Sequence, residues 1–181
     1  SFNYSGQAQI AFSKEYGGIE NEDGRWMEQT ADSGFILTGM TNTYSNGQAD
    51  VWLVRTDAYG NTLWNKSFGG TQYDFGNMVR NTSDGGFIIG GFTGSYGSGG
   101  NDGWLIKTNA SGTKLWDKTF GDSGLQELEA VIQTSDGGYA AVGISYTSGT
   151  QYYDIYLVRT DANGDSLWTK KVKLVYDNLL N

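Results

Sequence analysis

NMVRNTSDGGFIIGGFTGSYGSGGNDGWLIKTNASGTKLWDKTF, residues 77–120, contains four short runs that favour β-strand, separated by turn residues. The first two runs flank an Asp-Gly turn at 83–86, which is the strongest short-range indication of a β-hairpin. The third run, 102–108, turns through 109–112 into the fourth, 115–120. No stretch of ten or more residues has helical periodicity. We therefore predict a four-stranded antiparallel meander.

This pattern recurs every 52 residues without an insertion or deletion. Tryptophan marks one repeated position, and Phe12 holds that position one period earlier: Trp64, Trp116 and Trp168. Repeats of about this length are typical of solenoids, propellers and other tandem arrays. We divide the single repeat domain, 1–181, into an additional outer strand, three full units and a C-terminal extension: 10–16, 22–68, 74–120, 126–172 and 173–181.

The third run of each unit is apolar on both of its faces, as in Val51-Trp52-Leu53-Val54. A strand that is buried on both sides predicts that its sheet lies between two other layers. Four-stranded sheets stacked face to face through short connections are the blades of a propeller.

Three motifs run through the units. They are W-x-K-x-F-G from Trp64 and Trp116, T-S-D-G-G-[FY] from Thr82 and Thr134, and D-x-[WY]-L-[VI]-[KR]-T from Asp50, Asp102 and Asp154. Together they resemble the propeller-type tandem repeats of secreted and surface proteins of bacteria and archaea, which are related to the tryptophan-docking blades of quinoprotein dehydrogenases. The resemblance implies an all-β, β-propeller-type fold of three four-stranded antiparallel blades plus one extra N-terminal strand. It says little about function, because such repeats serve as scaffolds for many activities.

Closed propellers have about four to eight blades, so three blades are expected to leave two apolar sheet faces uncovered. Faces of that kind mark interaction surfaces. We therefore expect a non-enzymatic scaffold that either associates with copies of itself, with a twofold ring as the simplest closed form, or forms part of a larger protein.

Composition excludes several other classes. The chain has no cysteine and no histidine, which rules out disulfides, thiol chemistry and Ser-His-Asp catalysis. A formal net charge of −8 disfavours nucleic acid as a partner. No stretch approaches the roughly 18 consecutive apolar residues of a membrane helix, so membrane insertion is not expected. The acidic, cysteine-free, Tyr/Trp/Asn/Gly-rich composition favours an extracellular or cell-surface location.

One turn resembles the start of a calcium loop, with oxygen-bearing side chains at alternate positions: Asp161, Asn163 and Asp165. The pattern then departs from a calcium loop, because Ser166 stands where glycine is usual. The alternative is that Asp161 caps a hairpin turn. Asp50, Asp102 and Asp154 likewise form either a carboxylate ring or, as their recurrence favours, local caps for backbone N–H groups.

A lectin-like alternative rests on tyrosines in or beside the loops before the third strands: Tyr44, Tyr96, Tyr146, Tyr152 and Tyr153. Tyrosine offers a stacking surface and a hydroxyl to a glycan. The repeated tryptophans could stack on sugars too, but their constant position favours docking between units. The remaining alternative is an enzyme, either quinoprotein-like or a glycosidase that uses Glu22 and Asp23. The simpler interpretation of these two carboxylates is that they lie on a solvent-exposed acidic edge.

Overall fold

The structure, a computed structural model, describes residues 13–146 and 152–173, and this part of the chain contains twelve β-strands and no helix. In chain order the strands are β1 (Glu22–Gln29), β2 (Phe35–Thr41), β3 (Asp50–Thr56), β4 (Thr62–Phe68), β5 (Asp74–Asn81), β6 (Phe87–Thr93), β7 (Asp102–Thr108), β8 (Lys114–Phe120), β9 (Leu125–Gln133), β10 (Tyr139–Tyr146), β11 (Tyr153–Thr160) and β12 (Ser166–Val172). They form three antiparallel meanders, named here sheet 1 (β1–β4), sheet 2 (β5–β8) and sheet 3 (β9–β12). The prediction of an all-β chain of four-stranded antiparallel units is confirmed.

The hairpin turns lie where the sequence predicts them, but the first turn of sheet 2 is not the type I′ turn that an Asp-Gly pair favours, because Gly85 has φ of 79° while Asp84 has no positive φ. Thr82 N–H donates to the Gly86 carbonyl across 3.0 Å, and Gly85 N–H donates to the Thr82 carbonyl across 2.9 Å, which is the hydrogen-bond pattern of the second turns. A positive φ is strained for most residues with a side chain, which explains glycine at this position.

Two apolar layers hold the three sheets together. Between sheets 1 and 2 the buried side chains include Ile36, Leu53, Val79, Ile89 and Trp104. Between sheets 2 and 3 they include Ile88, Leu105, Leu128, Val131 and Tyr156. Sheet 2 therefore contributes to both layers, and every residue of its third strand, β7, is buried. This confirms the prediction of a strand covered on both faces.

The connections between sheets repeat in atomic detail. Asp74 N–H donates to the Ala49 carbonyl across 2.8 Å, and Gln126 N–H donates to the Asn101 carbonyl across 2.7 Å, one period later. Each sheet therefore meets the next in the same register, because the same backbone groups join them.

The outer faces of sheets 1 and 3 differ, contrary to the expectation of two uncovered faces. On the outer face of sheet 1, Trp52 and Val54 are buried, and Tyr16 lines the small cavity above them. On sheet 3, burial alternates along β11, so Tyr156 and Val158 are buried while Ile155 is 44% exposed. Among the described residues, only sheet 3 presents a broad apolar face to solvent.

The extra outer strand predicted at 10–16 is not seen as a strand in its described part. Residues 13–16 belong to no β-ladder, while 10–12 lie outside the described residues. An outer strand pairs with the third strand of its own sheet, and the described residues include no such strand for this segment. The extension 173–181 lies outside the described residues except for Lys173.

Candidate functional site

The repeated tryptophans dock one sheet onto the next. The Trp64 ring lies 6.1 Å from the Phe87 ring of sheet 2, and a Cβ added at Gly112 would lie 2.7 Å from Trp64 Cζ3. Trp116 repeats the arrangement on sheet 3. Its ring is 5.5 Å from that of Tyr139, and a Cβ at Gly164 would lie 2.7 Å from its Cζ3. Each ring therefore needs an aromatic partner and a glycine on the following sheet.

Trp168 occupies the same position on sheet 3, but within the described structure no further sheet follows it. Its side chain is 43% exposed. The neighbouring strands add apolar side chains on the same side of the sheet, and we call this surface the open face of sheet 3: Ile132, Val142, Ile155, Trp168 and Val172. It carries the same docking tryptophan as the two faces that are covered within the chain.

Two of the candidate tyrosines have structural contacts. The Tyr44 ring stacks on Trp52 at 5.8 Å, and the Tyr96 ring lies 5.6 Å from Trp104. The Tyr96 hydroxyl donates to the Gly69 carbonyl across 2.8 Å. Both rings hold a long loop against the third strand of their sheet, although each remains over two-fifths exposed.

The other candidate tyrosines lie at the end of sheet 3. Tyr146 and Tyr153 are cross-strand partners whose rings are 5.4 Å apart, and Tyr152 is adjacent. Tyr152 and Tyr153 are 70% and 58% exposed. The structure thus brings Tyr146 and Tyr153 together, with Tyr152 next to Tyr153 in the sequence, and places Tyr44 and Tyr96 on the two preceding sheets.

The Asp161 side chain has the geometry of a turn cap. Its Oδ1 accepts the N–H groups of Asn163 and Asp165 at 2.9 and 2.8 Å. Asp57 accepts two backbone N–H groups in the same way. Asp165 is paired with Lys118 of sheet 2 at 2.7 Å. The capping role explains why an oxygen acceptor recurs at this position, and calcium binding here stays a prediction.

Two of the three aspartates at the start of the third strands, Asp50 and Asp102, are buried caps, whereas Asp154 is half-buried. Asp50 and Asp102 accept backbone N–H groups from Asn46 and Ser98 through Oδ2, as the structural interpretation predicted. Their Oδ1 atoms are buried without a hydrogen-bond partner. Burial is the largest cause that raises the pKa of Asp50, and the carboxylate of Asp74 adds to it. Burial is also the largest cause that raises the pKa of Asp102, and the carboxylate of Asp122 raises it further.

A cation in each third strand, buried in sheets 1 and 2 and half-buried in sheet 3, pairs with the aspartate of the first hairpin turn. Sequence reasoning missed this feature. The three pairs span 2.5 to 2.9 Å: Arg55–Asp32, Lys107–Asp84 and Arg159–Asp136. Hydrogen bonds from Thr134, Gly138 and Arg159 lower the pKa of Asp136 to about 2. The sequence does contain a signal for these pairs, because each hairpin aspartate is followed 23 residues later by an arginine or a lysine. These pairs lock the hairpins to the sheets.

A cleft of about 570 Å³ lies between sheets 1 and 2 at the hairpin end, lined by residues that include Asp32, Arg55, Leu63 and Trp64. Its two charged side chains already bind each other, which leaves few polar groups free to orient a ligand. Within the described residues, no group of three or more His, Cys, Asp or Glu side chains is placed to hold a metal ion. Nor does the described part include a helix of the length and apolarity that crossing a bilayer requires.

Comparison with known proteins adds no assignment. No protein-family model matches the sequence, and no curated protein matches it significantly.

Proposed function

We propose that this chain is a non-enzymatic extracellular or cell-surface scaffold whose three sheets are propeller-type blades. Its task is association with further copies of itself through the open face of sheet 3. The observation that carries the proposal is the position of Trp168, which repeats that of Trp64 and Trp116 but has no sheet to dock on among the described residues.

Packing physics supports a like surface as the occupant. Trp64 and Trp116 each meet an aromatic ring and a turn glycine on the next sheet. Phe35 and Gly60 hold the corresponding positions on sheet 1, but the Tyr16 hydroxyl already donates to the Gly60 carbonyl there. The like surface that remains on a second copy is its own apolar open face. Apolar side chains such as Ile155 and Val172 gain about 25 cal/mol for each Å² removed from water, so covering this face is favourable.

The composition of the open face favours a protein partner over a polyanion. The chain carries a net charge of −8. The open face is mainly apolar, with Lys170 beside Trp168 on the edge strand β12 and with Arg159 paired to Asp136. An apolar centre with charges displaced to the rim is the usual composition of a protein–protein interface.

The test is the solution mass, by light scattering after gel filtration, of the wild type and of Trp168→Glu over a range of concentrations. The wild type should form a dimer or larger assembly, and Trp168→Glu should be monomeric. Leu115→Glu is the matched control, because Leu115 is an exposed leucine away from the open face. A wild-type mass of 19.7 kDa at all concentrations would refute the proposal.

The second candidate is a lectin-like module, favoured by the exposed rings of Tyr152 and Tyr153 beside Tyr146. Exposed tyrosines that cluster at a sheet end can stack on sugar rings. A glycan array probed with the wild type and with the double variant Tyr152→Ala/Tyr153→Ala tests it. Binding that disappears in the variant would support this function, whereas a flat array would reject it.

A further inference from the structure

Residues 14–18 reproduce, on sheet 1, the contacts that the preceding sheet makes elsewhere in the chain. Lys14 Nζ donates to Asn61 Oδ1 across 3.3 Å, and Lys118 Nζ donates to Asp165 Oδ1 across 2.7 Å, one sheet onto the next. Both pairs are separated by 47 residues. Lys118, on the outer strand of sheet 2, lies against the last turn of sheet 3. Lys14 lies against the last turn of sheet 1 in the same way.

The crossover after this segment also matches the crossovers between sheets. Gly18 N–H donates to Glu22 Oε2 across 3.3 Å, in the position where Gly70 N–H donates to Asp74 Oδ2 across 2.9 Å. The third crossover uses Gln126 Oε1 as the acceptor, with Asp122 N–H as the donor at 2.9 Å. Three successive junctions thus share one hydrogen bond, and the first of them belongs to the N-terminal segment.

Tyr16 occupies the place that Phe68 and Phe120 hold at the other junctions. Phe68 packs against the apolar layer between sheets 1 and 2, and Phe120 belongs to the layer between sheets 2 and 3. Tyr16 lines the cavity above Leu37 and Val54 on the outer face of sheet 1. Its hydroxyl also donates to the Gly60 carbonyl across 2.9 Å. This hydrogen bond ties the segment to the turn whose counterparts accept Trp64 and Trp116.

We infer that residues 14–18 are a built-in plug, which occupies on sheet 1 the surface that sheet 3 of a second copy would otherwise fill. This inference rests on the proposed self-association and specifies its direction. With the plug in place, the open face of sheet 3 meets the same face of another copy and a closed dimer results. With the plug released, sheet 3 of one copy docks on sheet 1 of the next, and head-to-tail assembly becomes available.

The plug is released by the triple variant Lys14→Ala/Tyr16→Ala/Gly17→Val. It removes the Lys14 and Tyr16 hydrogen bonds, and it strains Gly17, whose φ is 154° and whose added Cβ would lie 2.5 Å from Glu22 Oε2. Sedimentation velocity over a concentration series is the readout. The expected result is assemblies larger than the wild type that grow with concentration and disappear when Trp168→Glu is added. Lys66→Ala, at the repeat position of Lys14, is the control and should leave the wild-type distribution unchanged.

Either of two results would overturn the inference: a folded triple variant with the wild-type distribution, or larger assemblies that persist with Trp168→Glu. If the triple variant does not fold, the milder Lys14→Ala/Tyr16→Phe decides, because it deletes two hydrogen bonds and keeps the ring. An unchanged distribution for this double variant would then count against the plug. Failure of the proposed self-association looks different, since the wild type would be monomeric and Trp168→Glu would alter no variant.

Discussion

Replacing Trp116 by alanine should destabilise the fold far more than the same change at Trp168, although both residues hold one repeat position. Trp116 packs between sheets 2 and 3, where its ring meets Tyr139 and the Gly164 turn. Truncation of a tryptophan in a packed layer costs about 3–5 kcal/mol. Because Trp116 is only partly buried, we expect a loss near the lower end, about 3 kcal/mol.

Trp168 provides the matched control within the same molecule. Its ring is 43% exposed on the open face, and surface substitutions usually change stability by less than about 0.5 kcal/mol. For a chain of this size, about 3 kcal/mol corresponds to a fall in melting temperature of roughly 6–12 °C. Trp116→Ala should show that fall, and Trp168→Ala in a dilute sample should not.

Equilibrium urea unfolding at several protein concentrations is the assay. The loss at Trp116 should not depend on concentration, whereas any loss at Trp168 should vanish on dilution as self-association is lost. Equal, concentration-independent losses for the two variants would refute the docking argument. So would a loss below about 0.5 kcal/mol for Trp116→Ala.

Three further predictions concern the charged groups. Asp50→Asn should raise the free energy of unfolding at pH 7, because it removes a buried carboxylate whose Oδ1 has no partner. The pKa of Asp50 is raised in the folded state, so the wild type gains stability as pH falls through that pKa towards 3.8. Urea unfolding should therefore show the two proteins closer in stability at pH 4.5 than at pH 7, and a variant less stable than the wild type at pH 7 would contradict this. Asp84→Ala should cost about 1–3 kcal/mol, because it leaves the buried Lys107 ammonium with only the Thr108 carbonyl. Asp32, Asp84 and Asp136 have pKa values of about 2, so their ion pairs stabilise the wild-type fold above pH 3.8 and lose this effect as pH falls towards 2. Acid titration followed by circular dichroism should show a smaller loss of stability over this pH range in Asp84→Ala than in the wild type. Asp161→Ala should lower the melting temperature equally with calcium and with chelator, because Asp161 caps a turn; a calcium-dependent rise in the wild type that the variant loses would instead establish the metal site.

Much of the fold could be predicted from the sequence because the repeat fixed the register. The Asp-Gly turns and the apolar run in the middle of β7 have local physical causes that a single sequence displays. Repetition then removed ambiguity, since a hairpin placed correctly once was placed correctly three times. The docking of Trp64 and Trp116 between sheets could be predicted in the same way, because tryptophan recurs at one position of the repeat.

The features that could not be predicted depend on contacts between segments distant in sequence. Residues 14–18 resemble the end of an outer strand, but sequence alone does not reveal that they lie on sheet 1 without a strand partner. The pairing of Arg55 with Asp32 joins a third strand to a first hairpin, and only the strand order of the sheet brings the two side chains together.

The central claim, that the open face of sheet 3 is covered by another copy, is tested most directly by hydroxyl-radical footprinting of Trp168 read by mass spectrometry. Trp26, which is 41% exposed against 43% for Trp168, serves as the internal reference. The account predicts that oxidation of Trp168 falls relative to Trp26 as the protein concentration rises. A constant ratio of the two rates across the whole concentration range would contradict it.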